Sequence, residues 1–243
     1  MLCPRGTNKT LDRMSDDLQT VKPYRGRLTP SQIAEGMNAA VENALRLLAD
    51  AETLFATGRY PTAASLAILA LEEAGKISML RAIAVSATDA DLKSAWKDYR
   101  SHARKNATWL LPNLATQGAR TFEDFRHLFD DDAKHPYVLD QIKQVGVYTD
   151  CFKNAHWSLP SKIIDKDAAE SMISLAKVFT SKEQHTEEEV ALWVEHVGPV
   201  WKKDIDWMKQ AIINWYAAMQ KAGLAAPGPN KVEEFVRSDK PAV

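Results

Sequence analysis

Cysteine is almost absent from this chain: Cys3 and Cys151 are the only two in 243 residues, and they form no CxxC pair. That excludes a disulfide framework and a cysteine-built zinc site, and the expected setting is a reducing one, the cytoplasm. An excess of one charge is missing too. With 31 basic and 32 acidic side chains the formal net charge is −1, so any nucleic-acid contact must come from a local patch. No apolar run approaches the ~20 residues of a spanning helix. The longest, Ala63 to Leu71, is interrupted by Ser65 and stops at Glu72, and the charged, proline-bearing first residues have no signal-peptide core. Neither secretion nor a membrane anchor is expected. There is no glycine-rich phosphate loop and no internal repeat. His185, Glu187 and Glu188, with Glu195 and His196 further on, match no closed ligand set, and acids at a helix start answer the helix dipole. No metal and no cofactor are expected.

What is present is helical periodicity, with 45% hydrophobic residues to fill a core. Residues 1–28 read as an irregular extension, 29–223 as one helical domain and 224–243, with three prolines, as a flexible tail. Thr29-Pro30 opens a first helix that Gly58 ends. A second runs from Pro61 to about Val85, and a third from Thr88 or Asp89 to Pro112 or Asn113. Residues 117–147 are charged and without sustained period, so a short helix or two is expected, then an extended piece at VGVYTDC. Asp165 to Lys182 reads as helical. A long final helix starts at Thr186 and is broken or kinked at Gly198-Pro199. Beyond that point Trp201, Ile205, Met208, Ile212 and Trp215 share one side, more apolar surface than a small bundle needs, so a second protomer is expected to cover it.

The second helix is unusual because it drives charge into an apolar pattern. Glu73 falls on the stripe of Leu66, Leu69, Ile77 and Leu80, while Glu72 precedes Lys76 by four residues and is placed to pair with it. A carboxylate on a core stripe needs a cation or several donors, so Glu73 is expected to be buried near the third helix. There Trp96, Tyr99, His102, Asn106 and Trp109 recur at spacings of three and four, flanked by Arg100, Arg104 and Lys105. A neutral histidine with arginine and lysine beside it suits proton transfer at a phosphodiester; a basic solvent-facing strip is the alternative. The cluster Glu72, Glu73, Lys76 likewise reads either as a brace between helices or as part of a site.

Three runs, RYPTAASLAILALEEAGK, YRSHARK and VGVYTDCFKNAHWSLPSKIIDKDAA, resemble the AbiV family of bacterial abortive-infection proteins, in the right order over roughly Thr29 to Phe179. That family lies in the all-helical HEPN superfamily. The resemblance implies an all-α, HEPN-like antiparallel helical bundle and a role in phage defence, in a superfamily where some members cut RNA and others bind partners. It also implies that Glu72 or Glu73 orients His102, that Arg100, Arg104 and Lys105 hold RNA, and that bundles pair as homodimers. The HEPN ribonuclease signature is arginine, four to six residues, then histidine. Arg120 and His127 fit its upper spacing, although Thr121 replaces the usual polar residue and Asp124 and Asp130 to Asp132 disfavour RNA approach. Two functions follow: a metal-independent ribonuclease acting on RNA, or a non-catalytic switch that binds a phage or host protein.

Overall fold

The computed structural model describes residues 22–101, 135–152, 155–180 and 182–237. His102, Arg104, Lys105, Arg120 and His127 lie outside them. The chain is all-α, its only described strands being a two-residue antiparallel pair.

Local chemistry sets the first helices. Thr29 caps α1 (Pro30–Ala56) through a capping box with Gln32, and Pro30 occupies the first turn. Gly58, at φ 76°, takes the left-handed conformation that reverses the chain into α2 (Tyr60–Ala84). So short a connection makes the two helices an antiparallel pair. Thr88 and Asp91 form a second capping box at the start of α3 (Asp89–Arg100). That helix is shorter than expected. Ser101 is extended at ψ 120°, so α3 ends at Arg100, where the sequence pattern carries it to Pro112 or Asn113.

After α4 (His135–Val147) the chain extends into β1 (Cys151–Phe152), which pairs with β2 (His156–Trp157). A single turn, α5 (Pro160–Ile163), and α6 (Lys166–Phe179), capped by Asp165, follow. Thr186 caps α7 (Glu187–Val197), and Gly198–Val200 forms a 3-10 turn that ends it. The expected break is real, but the helix restarts in a new register. Asp204 caps α8 (Ile205–Lys221), which buries Ala211, Ile213 and Met219 and leaves Ile205 half exposed. Trp201, Met208 and Trp215, read as surplus surface, pack against Trp193 and Val197 of α7 within the same chain.

The C-terminal reading needs a correction. Residues 224–237 fold back on α8 and end in α9 (Lys231–Arg237). The Asn230 amide donates to the Ile213 carbonyl at 3.1 Å, and Gln220 donates to the carbonyls of Ala226 and Gly228. Val236 is buried. Side-chain amides and one valine anchor a segment whose composition suggests disorder.

α2 is the hub. Ala63, Ala67, Ile68, Ala70 and Leu71 face Leu47, Leu48 and Ala51 of α1, Leu139 of α4 and Ile173 and Ala176 of α6. Nearer its end, Leu80 and Ile83 join Ile33 and Met37 of α1, Leu92 and Trp96 of α3 and Val190 of α7. A helix surrounded on most sides has no polar face on which to place its charges.

Candidate functional site

Of the two adjacent acids on α2, Glu72 is the sealed one at 2% exposure. Lys143 of α4 meets it at 2.6 Å and also reaches Asp140 at 3.0 Å. Burial alone would lower the Lys143 ammonium, but its hydrogen bonds to Glu72 and Asp140 raise it above the ordinary 10.5. Glu73 is mostly covered and pairs with Lys76 at 2.6 Å. The partner of Lys76 is thus Glu73, three residues back, where the spacing suggested Glu72. Lys76 also lies 5.7 Å over the Tyr99 ring on the last turn of α3, which ties α2 to the helix expected to face Glu73.

Arg100 is engaged as well. Its guanidinium donates to the carbonyls of Trp96 and Tyr24 and stacks over the Trp96 ring at 4.9 Å. Glu72, Glu73, Lys76 and Arg100 each hold a partner within the chain, Glu72 toward α4, Glu73 and Lys76 toward each other, and Arg100 toward Trp96 and Tyr24. A buried ion pair between two helices ties them together, as Glu72 and Lys143 tie α2 to α4.

A second charged cluster was not singled out from sequence. Glu189 of α7, 9% exposed, receives Arg81 of α2 at 2.6 Å and the His185 imidazole at 2.9 Å. Burial alone would raise the Glu189 carboxyl, but hydrogen bonds from His185 and Arg81 hold it below 4.5. Arg81 in turn lies over the rings of Trp193 and Trp215. The available signal was Arg81 itself, a lone cation near the apolar end of α2. Lys143 was the parallel signal for Glu72, being the single cation between Leu139, Ile142 and Gly146.

The exposed chemistry lies elsewhere, at the corner between α4 and α6. Cys151 pairs with Trp157 and Phe152 with His156, and the Ser158 amide donates to the Asp150 carbonyl at 2.7 Å. The pairing draws the strand leaving α4 alongside the strand entering α5. Val147 and Tyr148 at the end of α4, Trp157 on β2, and Leu159 and Ile163 at the two ends of α5 lie on the elements this pairing joins, and all are well exposed, Trp157 at 68% and Tyr148 at 62%. Trp157 and Leu159 are two apart on an extended strand and so share a face. Clustered apolar side chains in solvent mark binding surfaces more often than scattered ones do. Among the described residues no group of three or more metal-ligating side chains comes together.

The family model described as AbiV, a HEPN type, matches residues 32–181, which run from within α1 through α6 and include the Glu72–Lys143 pair and the apolar corner. No curated protein and no solved structure matches the chain.

Proposed function

Because this chain belongs to the AbiV family of HEPN proteins, we propose that it acts in bacterial defence against phage by abortive infection, as a switch that binds a phage or host protein. The apolar corner of Val147, Tyr148, Trp157, Leu159 and Ile163 carries this reading. It lies within the family-matched residues and presents an aromatic pair of the kind that dominates binding energy. In contrast, Glu72, Glu73 and Arg100 are bound to internal partners, which gives them a bracing role.

An RNA-directed effector is the second reading. Lys76 over Tyr99 favours it, because it fixes the last turn of α3 immediately before His102. On this reading His102 takes the proton, Arg104 and Lys105 hold phosphate, and Arg120 and His127 are the weaker alternative pair. Both readings include a cytoplasmic homodimer, measurable by light scattering.

Plaque counts on cells expressing folded variants separate the two. Tyr148→Ser/Trp157→Ser is expected to abolish protection, with His102→Ala, Lys105→Ala and Arg120→Ala/His127→Ala retaining it. Full protection by the Tyr148/Trp157 variant would overturn the partner-binding reading. Loss of both protection and RNA cleavage in the histidine variants would establish the second.

A further inference from the structure

One side of α1 and the segment leading into α7 enclose a groove of about 730 Å³. Its apolar lining is the exposed Ala39 and the part-buried Leu45, over the buried Ala34 and Val41. Its rim is acidic. Glu35 and Glu42, seven residues apart and so on one side of α1, face outward with Glu187, and all three are exposed and make no ion pair with any described residue. Lys182 is the one lysine or arginine among the described residues that line it.

The wall opposite α1 is held in place. Asn38 grips the backbone of His185 in both directions, its amide donating to the carbonyl at 2.9 Å and its carbonyl accepting from the amide at 2.8 Å. The His185 ring is fixed through Nδ1 to Glu189, which Arg81 anchors from beneath. Walls tied this firmly spare a ligand the cost of ordering them. The groove follows α1 from Ser31 to Leu45, about 20 Å at 1.5 Å per residue, the length of a short helix.

We propose that this groove docks a cationic amphipathic helix of a partner protein, its apolar stripe against Leu45 and its lysines or arginines, seven apart, against Glu35 and Glu42. Nucleic acid does not suit it, because three unpaired carboxylates repel phosphate. The inference rests on the partner-binding reading and adds a second surface, with a stated partner chemistry, distinct from the apolar corner. Its far wall, 182–187, begins where the family-matched residues end.

The test uses the full chain and a fluorescein-labelled peptide of about 20 residues, carrying a leucine stripe and lysines at helical heptad spacing. Fluorescence anisotropy is expected to show saturable binding that weakens with salt and drops at least about tenfold for Glu35→Lys/Glu42→Lys. Glu170→Lys/Glu195→Lys, the same charge change on exposed positions elsewhere, is expected to leave it unchanged. No saturable binding, equal loss in both variants, or equal binding of a peptide with glutamine for lysine would each overturn the proposal. Those results bear on the groove alone. Plaque protection by the Tyr148/Trp157 variant judges the broader reading separately.

Discussion

Glu72 and Glu73 are neighbours with different obligations. Removing Glu72 leaves Lys143 buried with one carboxylate fewer, so Glu72→Ala is expected to cost about 3–5 kcal/mol by urea unfolding, whereas Glu73→Ala, whose lysine reaches solvent more easily, costs about 1. Equal losses would mean that Lys143 finds enough compensation in Asp140. Glu189 gives a pH-dependent case. Its carboxyl is held below 4.5 in the folded chain, so its stabilisation is complete above its unfolded value and is lost as pH falls through the folded one. Acid unfolding of the Glu189→Gln variant should therefore show lower stability at neutral pH and a flatter decline below about pH 4.5. Parallel acid limbs for the two proteins would remove Glu189 from the account. The pairing of these residues was poorly legible in the sequence because the partners are remote: Glu72 and Lys143 are 71 positions apart, Arg81 and Glu189 108. The anomaly of charge on an apolar helix was visible; its resolution depended on which helices pack together.

Helix starts and stops, by contrast, were written locally. Thr29-Pro30, Thr88, Asp165, Thr186 and Gly58 each act through atoms within a few residues, and each stands where the pattern placed it. The end of α3 carries no glycine or proline to mark it: Ser101 simply turns extended, where the Arg100 guanidinium reaches back to Trp96 and across to Tyr24. Close packing of elements gives a further prediction. Gly146 lets α4 approach α2: a Cβ there would stand 2.5 Å from the Ser65 hydroxyl and 3.1 Å from the Pro61 carbonyl. Alanine ordinarily stabilises a helix relative to glycine by about 1 kcal/mol. Here Gly146→Ala is expected to destabilise instead, by about 1–3 kcal/mol, since the Pro61 backbone cannot swing aside as a side chain can. A raised urea midpoint would show that the two helices part without cost.

At the scale of the whole molecule, α2 gathers α1, α3, α4 and α6 around it, while α7, α8 and α9 form an annex joined through Val85, Arg81 and Trp193. The hub was legible as a bundle. The annex was read as one kinked helix with spare apolar surface because Trp201 and Trp215 keep a helical period across a break at which the chain turns back. Deleting residues 224–243 should leave the hub intact and weaken the annex, since the Ile213 carbonyl loses the Asn230 amide, Gln220 loses the Ala226 carbonyl, and the apolar contact made by the buried Val236 goes with the segment. Limited proteolysis is expected to cut α8 faster in that truncation, with α1 and α2 unaffected; uniform protection would mean that α9 adds nothing.

The annex also carries its own optical reporter. Trp193 meets Trp215 at 5.1 Å and 87°, and Trp201 at 6.4 Å, with the Arg81 guanidinium over two of the three rings. Indoles held at such angles couple their transitions, so the docked annex should give a near-ultraviolet circular dichroism band that free tryptophans lack. Trp157 and Trp207, standing in solvent, will emit at long wavelength and yield to acrylamide. Collisional quenching thus sets Trp157 and Trp207 apart from the coupled three, and with Trp96, buried in the hub, and Trp109 replaced by phenylalanine, loss of the dichroic band on heating, set against helical ellipticity, reads whether the annex leaves before the hub melts.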